Sequence, residues 1–175
     1  MSDTIRVGLI GYGYASKTFH APLIGGTSGM TLAAISSSDE AKVRADWPTV
    51  SVVADPQQLF SDPSLDLIVI PTPNDTHYPL AKAALEAGKH VVVDKPFTVT
   101  LSQARELEVL ARRCGRLLSV FHNRRWDSDF LTVKSLINDG TLGEVSYFES
   151  HFDRYRPEVR NRWREQGGPG SGIWY

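Results

Sequence analysis

Four short stretches of the chain combine residue types that bind phosphates or move protons, and each follows an apolar run. In the first, Gly11 and Gly13 follow the run Ile5–Ile10 and precede a helix-forming segment. A first glycine permits a tight turn, and a second lets a pyrophosphate approach the backbone, where N–H groups of the next helix face the phosphates. The pattern predicts a dinucleotide site at Gly11, Gly13, Tyr14 and Ala15. A plain strand–helix turn would also explain two glycines, since a serine occupies the third small position of the motif.

The second stretch, after the apolar run 30–35, consists of three serines: Ser36, Ser37 and Ser38. NAD-specific sites usually carry Asp or Glu at this point, because a carboxylate binds the ribose 2′-hydroxyl and repels a 2′-phosphate. Hydroxyl groups, with Lys42 or Arg44 nearby, would instead bind that phosphate. We therefore predict NADP as the cofactor in preference to NAD. The alternative is that the serines only cap the following helix.

The third stretch is the loop 71–77, with the sequence Pro-Thr-Pro-Asn-Asp-Thr-His, after the fourth apolar run. Ligands of α/β folds bind at the carboxyl ends of parallel strands, so this loop is placed to contact a cofactor. Asn74 or Thr76 could instead serve only as the cap of the next helix. A histidine such as His77, taken by itself, is more often a hydrogen-bonded residue at the start of a helix than a ligand.

The fourth stretch is Asp94, Lys95 and Pro96, directly after the fifth apolar run. An ammonium group at that point of the sheet would face the nicotinamide end of a dinucleotide, where it can donate or relay a proton. A lysine that follows a strand is also a common surface residue. Lys95 is the candidate catalytic residue.

The segments that carry these residues alternate between strand and helix patterns. Short, nearly all-apolar runs predict strands at residues 5–10, 30–36, 50–54, 65–70, 89–93 and 116–121. Such runs suit strands that are covered on both faces. Helical stripes lie between them, including one with Pro79 in its first turn and one closed by Gly115. The fold class is therefore α/β, a doubly wound parallel sheet of the Rossmann type over residues 1–121.

Residues 122–175 have a different pattern. Asp127 or Ser128 could cap a helix that Gly140 ends, and residues 143–153 alternate as a strand. We interpret this part as the beginning of a second, α+β domain with a large open sheet. The glycine-rich loop 167–172, followed by Ile-Trp-Tyr, leads us to expect that the chain is cut short.

Composition excludes several classes of function. The 175 residues have a formal net charge of -1, and no apolar run approaches the ~20 residues that span a bilayer. Without a basic N-terminal region and apolar stretch, no secretory signal is expected, and the single Cys114 fits a buried structural thiol. Asp153, Glu158 and Glu165 offset three of the five arginine charges between 154 and 164, and no nucleic-acid signature accompanies them. We expect a soluble cytoplasmic protein with no membrane, nucleic-acid or metal partner.

The order of the motifs resembles the Gfo/Idh/MocA (glucose–fructose oxidoreductase/inositol dehydrogenase) family. The glycine turn, the Thr-Pro-Asn loop and the Lys-Pro pair after the fifth strand carry this resemblance. It continues through residues 121–127 (Phe-His-Asn-Arg-Arg-Trp-Asp), 155–159 (Tyr-Arg-Pro-Glu-Val) and 162–164 (Arg-Trp-Arg). These later segments are similar to the NADP-dependent scyllo-inositol dehydrogenase-like subgroup.

The resemblance implies hydride transfer between NAD(P) and a hydroxyl carbon of a sugar or of a cyclitol such as an inositol. It implies that Lys95 contacts the reacting hydroxyl, and that family members form homo-oligomers through the C-terminal sheet. The residues expected to bind the cofactor are Gly11, Gly13, Tyr14, Ala15, Ser36, Ser37, Ser38, Thr72, Pro73, Asn74, His77, Asp94, Lys95, Arg124 and Trp126.

Two departures from the family pattern matter. The family more often has Glu at the position of Asp94, and one methylene less could change how Lys95 is oriented. The family's Asp-x-Gly-x-x-His stretch, which supplies its catalytic histidine, would begin after Tyr175. The alternative function is therefore a non-catalytic NADP(H)-binding module or redox sensor.

Overall fold

A six-stranded, all-parallel sheet forms the centre of the protein, with the strand order β3-β2-β1-β4-β5-β6. The computed structural model describes residues 4–153, 155, 157, 158, 161, 165 and 167–171. The strands are β1 (Ile5–Ile10), β2 (Met30–Ser36), β3 (Ser51–Val53), β4 (Leu67–Ile70), β5 (His90–Asp94) and β6 (Leu118–Phe121). The chain order reverses direction between β1 and β4, which creates the crevice where doubly wound folds bind ligands.

Helices connect the strands and cover both faces of the sheet. They are α1 (Ala21–Gly26), α2 (Glu40–Asp46), α3 (Pro56–Ser61), α4 (Asn74–Glu86), α5 (Leu101–Cys114) and α6 (Ser128–Asn138). A π-helical turn, Ser16–His20, leads directly into α1, and a 3₁₀ turn, Asn123–Trp126, lies between β6 and α6. The start of α5 has a reciprocal capping box between Thr100 and Gln103, and its end has Gly115 in the left-handed region at φ +62°.

The core divides into one apolar cluster on each face of the sheet. On β4, Val69 packs with α1 and α2, whereas Ile68 and Ile70 pack with α3, α4 and α5. Alternate residues of a strand point to opposite faces, so a strand covered on both sides must be apolar throughout. This explains the uninterrupted apolar runs of the sequence. The candidate site lies at the carboxyl edge of this sheet.

The predicted Rossmann sheet is confirmed. Five strands lie within the expected segments, and β5 extends one residue past its expected end, to Asp94. The prediction that Pro79 lies in the first turn of its helix is wrong, because α4 already begins at Asn74. Neither Asn74 nor Thr76 caps that helix from its side chain. The hydroxyl of Thr76 donates to the carbonyl of Pro73 at 2.6 Å and shares a hydrogen bond with the hydroxyl of Thr72, also at 2.6 Å.

The expected strand at 143–153 is not formed, since these residues have no regular secondary structure. A strand needs a neighbour for its backbone N–H and C=O groups, and no described strand of the sheet pairs with this segment. Asp127 precedes α6 but its side chain does not cap it. Cys114 is half-buried against the core. None of the helices among the described residues has the length and apolar character needed to cross a membrane.

Candidate cofactor site

The glycine turn lies at the reversal point of the sheet, at the carboxyl end of β1. Gly11 has φ +79°, a conformation that glycine adopts without steric cost, and its N–H donates to the carbonyl of Ser36 at 2.7 Å. A Cβ atom on Gly13 would meet nothing within 4 Å, so the space above the second glycine is open. A pyrophosphate needs this open approach, and the observed backbone therefore fits a dinucleotide.

Backbone donors face the same space. The first hydrogen bond of the helix after the turn runs from the N–H of Lys17 to the carbonyl of Gly13 at 3.0 Å. The N–H groups of Tyr14, Ala15 and Ser16 precede that bond and point out of the N-terminus, as in other anion-binding helix starts. Tyr14 is exposed, and its ring meets Phe19 edge to face at 6.0 Å between centroids.

A buried tyrosine between the two glycines anchors the turn to α2. The hydroxyl of Tyr12 donates to the Asp46 carboxylate at 2.9 Å, and Lys17 forms an ion pair with the same carboxylate at 2.7 Å. Burial raises the pKa of Tyr12, and its hydrogen bond to Asp46 raises it further. The turn is thus fixed from below while its upper surface stays open.

The three serines at the end of β2 have three different environments. Ser36 is buried, and the Ser37 hydroxyl accepts the N–H of Asp39 at 3.1 Å in a local turn. Ser38 is exposed and lies two residues beyond Ser36, whose partner across the β1–β2 pair is Ile10. The side chain of Asp39 accepts the N–H of Lys42 at 3.0 Å and so caps α2.

The two cations near the serines also differ. Arg44 is bound to Glu40 at 2.6 Å and to the carbonyl of Pro48 at 3.2 Å, so its guanidinium is already engaged. The Lys42 side chain is exposed and, within the part of the chain that the structure describes, makes no hydrogen bond or ion pair. Of the two candidates, Lys42 is the one available to a phosphate.

The loop after β4 lies on the other side of the glycine turn. A Cβ on Gly11 would lie 3.8 Å from Cγ2 of Thr72, which shows how closely the two loops approach. Pro73 is exposed and Asn74 is buried. His77 is 0% exposed, with Nε2 2.9 Å from the carbonyl oxygen of Thr72 and Nδ1 2.8 Å from that of Pro96. The ring therefore joins the loops after β4 and β5 from behind the surface and is not part of the exposed rim.

Lys95 follows β5, the strand beyond β4, and its side chain is exposed at the same edge. Its backbone N–H donates to Oδ1 of Asp94 at 2.8 Å, and the peptide bond to Pro96 is cis. Burial alone would raise the pKa of the Asp94 carboxyl, but His20 and the N–H of Lys95 outweigh it and hold that pKa below its usual value. Asp94 is thus a carboxylate that orients the lysine backbone.

The site residues before position 96 therefore gather at the carboxyl ends of β1, β2, β4 and β5. Comparison with known proteins agrees with this geometry. Residues 5–122 match the oxidoreductase family with an NAD-binding Rossmann fold named Gfo/Idh/MocA, and residues 130–175 match a C-terminal domain of the same family. The chain belongs to the Gfo/Idh/MocA oxidoreductase family.

Individual relatives support the assignment. The chain is 81% identical over its full length to the uncharacterized oxidoreductase YdgJ of Escherichia coli (strain K12), of which it covers 51%. It is 42% identical to scyllo-inositol 2-dehydrogenase (NADP(+)) IolW of Bacillus subtilis (strain 168), over 99% of this chain and 48% of that protein. The solved structure of YPO2259 from Yersinia pestis matches with a TM-score of 0.92 and 72% identity, over 100% of this chain and 49% of that one. The chain spans about half the length of these relatives.

Two more residues expected from the Gfo/Idh/MocA resemblance lie beyond β6, in the 3₁₀ turn Asn123–Trp126. Arg124 is largely exposed and forms an ion pair with Asp127 at 2.7 Å, which raises the pKa of its guanidinium. Trp126 is 73% exposed. The structure therefore leaves both side chains at the surface. The later matching segments, 155–159 and 162–164, lie largely outside the described residues.

The structure adds two features that the sequence did not reveal. The Asn74 amide donates to the carbonyl of Gly170 at 2.6 Å, so the glycine-rich loop lies against the Thr-Pro-Asn loop. Behind Asp94, the buried His20 has its Nε2 atom 3.9 Å from the carboxylate. The only sequence signal for His20 was its spacing, because Ser16, His20 and Ile24 recur every four residues on the buried face of one helix.

Proposed function

We propose that the protein is an NAD(P)-dependent oxidoreductase that transfers a hydride between the nicotinamide and a hydroxyl carbon of a sugar or cyclitol. The observation that carries the proposal is the shared edge of the sheet. An open glycine turn lies at its reversal point, and the exposed Lys95 lies two strands away. The similarity to IolW, which is named as a dehydrogenase of scyllo-inositol, supports the class of substrate.

Different residues along this edge would have different roles. The backbone N–H groups after Gly13 would hold the pyrophosphate, and the loop at Thr72 would border the nicotinamide half. A bound nicotinamide supplies or accepts the hydride. Lys95 would hold the oxygen of the substrate and exchange its proton: the ammonium donates a proton as a carbonyl is reduced, and the amine accepts one as a hydroxyl is oxidised.

We further propose NADP as the preferred cofactor. The end of β2 offers the exposed hydroxyl of Ser38 and the exposed ammonium of Lys42. The nearest carboxylate in sequence, Asp39, is occupied by the capping bond to the N–H of Lys42. A 2′-phosphate would therefore meet donors, and the name of IolW carries the same preference.

A fluorescence titration with NADPH and with NADH tests both the binding of a cofactor and the preference for NADP. We expect saturable binding with NADPH the tighter ligand. In Ser38→Asp the NADPH affinity should fall by roughly 10- to 150-fold, which is the value of one charge-assisted hydrogen bond of about 1.5–3 kcal/mol. Ser135→Asp, which adds the same charge on the exposed face of α6, is the matched control. Equal affinities for the two cofactors, unchanged by Ser38→Asp, would contradict the preference.

The alternative is a module that binds NADP(H) without catalysis. Incubation with NADP⁺ and a panel of inositols and sugars separates the two functions, since polyol-dependent NADPH formation requires the enzyme. The assay is run on the 175-residue chain and on this chain joined to the remaining part of YdgJ, of which it covers 51%. Tight binding with turnover by neither protein would favour the binding module. No binding of either cofactor would contradict both.

We also propose the division of the chain at residues 121 and 122. Both core clusters consist of residues from 7 to 118. Beyond that point, apolar side chains of α6 such as Phe130, Val133 and Ile137 are exposed. We propose that residues 122–175 begin the C-terminal domain, and that this domain forms homo-oligomers. Light scattering tests the second statement, which a monodisperse monomer would contradict.

A further inference from the structure

A buried histidine lies directly behind the lysine turn. His20 is 4% exposed and stands on the π-helical turn after the glycines, a type of helix that is rare and often found at functional sites. Its ring packs against Phe121 with 4.3 Å between centroids. Nε2 has no hydrogen-bond partner among the described residues, although buried nitrogen atoms normally have one.

The atom that this nitrogen faces is a carboxylate oxygen. Oδ2 of Asp94 lies 3.9 Å from Nε2 of His20, and Oδ1 of the same carboxylate accepts the N–H of Lys95 at 2.8 Å. One carboxylate thus links the buried ring to the lysine backbone. An apolar ring would pack against Phe121 at lower desolvation cost, so the contact with Asp94 is what the imidazole adds.

The other side of the same turn is held by a second histidine. His77 reaches the carbonyl of Pro96 with one ring nitrogen and that of Thr72 with the other. Residues 95 and 96 are therefore fixed from two directions, through Asp94 on one side and through His77 on the other. Of the two rings, only that of His20 acts through a charged group.

We propose that His20 is a positioning residue, which fixes the backbone at Lys95 by holding the carboxylate of Asp94 in place. The catalytic role of Lys95 rests on the proposed function. The linkage from His20 through Asp94 to the backbone of Lys95 does not. Without the ring, the carboxylate can rotate away from the backbone N–H of Lys95. The backbone that carries the lysine side chain is then no longer fixed. His20 touches neither cofactor nor substrate in this role.

Amide exchange at Lys95, measured by NMR on the cofactor-free chain, tests the linkage. His20→Phe keeps the packing on Phe121 and removes the nitrogen. We expect exchange at Lys95 to become several-fold faster, because the carboxylate that accepts this N–H loses the ring that faces its other oxygen. His20→Gln places an amide donor near the same carboxylate and should restore most of the protection. In His20→Phe/Asp94→Asn, exchange should be no faster than in Asp94→Asn alone.

His90→Asn is the matched control. His90 lies at the opposite end of β5, where its ring accepts the N–H of Leu117 at 2.9 Å. If this variant accelerates exchange at Lys95 equally, the effect is general destabilisation and the proposal fails. It also fails if His20→Phe leaves exchange unchanged, or if His20→Gln behaves like His20→Phe.

A second measurement covers the case in which His20→Phe does not fold. The ring nitrogen resonances of His20 should move in Asp94→Asn and stay in place in His90→Asn; unmoved resonances would overturn the linkage. NADPH titration of the unmodified chain separates the two proposals. If the exchange results are as expected but no cofactor binds, the proposed function fails and the positioning role stands.

Discussion

Replacing Gly13 by alanine separates cofactor binding from folding more cleanly than any other change at the glycine turn. Gly13 has no positive φ, and an added Cβ would meet no protein atom within 4 Å. Alanine lowers the conformational entropy of the unfolded chain, which stabilises the folded state by about 0.4–1 kcal/mol. Alanine is also a poorer helix N-cap than glycine, and this destabilises the folded state by a similar free energy. We therefore expect the free energy of unfolding to change by less than about 1 kcal/mol.

The same methyl group would occupy the space above the turn. A pyrophosphate pushed away from this turn loses at least one charge-assisted hydrogen bond to a backbone N–H, worth about 1.5–3 kcal/mol. The NADPH dissociation constant of Gly13→Ala should rise by roughly 10- to 150-fold. NADH should weaken by a similar factor, because both cofactors share the pyrophosphate.

Fluorescence titration gives the affinity, and urea unfolding gives the stability. Gly26→Ala is the control, since a Cβ at Gly26 also meets nothing within 4 Å but lies at the far end of the same helical segment. It should bind both cofactors as the unmodified chain does. If Gly13→Ala binds NADPH within twofold of the unmodified protein, the turn does not hold the pyrophosphate and the site has been misplaced.

Three further changes test other parts of the structure. Gly11→Ala forces alanine into φ +79° with only an ordinary 3.8 Å contact to Thr72, so backbone strain should lower stability by about 1–2 kcal/mol in urea unfolding. Gly170→Ala places a Cβ 2.9 Å from that of Asn74, at φ +77°, and should detach the glycine-rich loop. Faster amide exchange at residue 171, with an unchanged urea midpoint, would show this, and unchanged exchange would contradict it. Because the pKa of Asp94 is lowered in the folded state, its carboxylate stabilises the fold at neutral pH, and that contribution is lost as the pH falls through the lowered pKa. Asp94→Asn should be less stable at pH 7 and should decline less steeply below about pH 4 in urea unfolding, whereas parallel pH curves would refute the assignment.

The sheet could be predicted because its cause is local. A strand covered on both faces must be apolar along its length, and Leu67–Ile70 is an unbroken apolar run whose residues alternate between two core clusters. Right-handed crossovers between strands separated by helices restrict the possible strand orders, and the observed order is that of the Rossmann fold. Glycine at positions 11 and 13 then marks the reversal point, since the turn after β1 is the one next to the crevice.

The start of α4 and the missing strand could not be predicted, because each depends on distant groups. The Asn74 amide looked like a helix cap, but its partner is the carbonyl of Gly170, 96 residues later in the chain. The alternation at 143–153 is typical of a strand, yet the pattern does not supply the neighbouring strand that its backbone needs. Similarly, a local turn engages the hydroxyl of Ser37 and leaves Ser38 exposed, although the three serines look alike in the sequence.

The two ends of the site therefore differ in construction. The phosphate end consists of backbone groups within a few residues of Gly13, so a single short motif reveals it. The lysine end depends on side chains from three elements: His20 follows the glycine turn, Asp94 ends β5, and His77 lies on α4. A backbone site tolerates changes in the side chains around it, whereas a turn held by buried polar side chains loses its geometry when one partner is removed. Substitutions at His20 should thus alter the environment of Lys95 while the NADPH affinity stays within a few-fold, and changes at Gly13 should have the opposite effect. If substitutions at His20 and at Gly13 both lowered the NADPH affinity and both accelerated amide exchange at Lys95, the two ends of the site would form one cooperative unit.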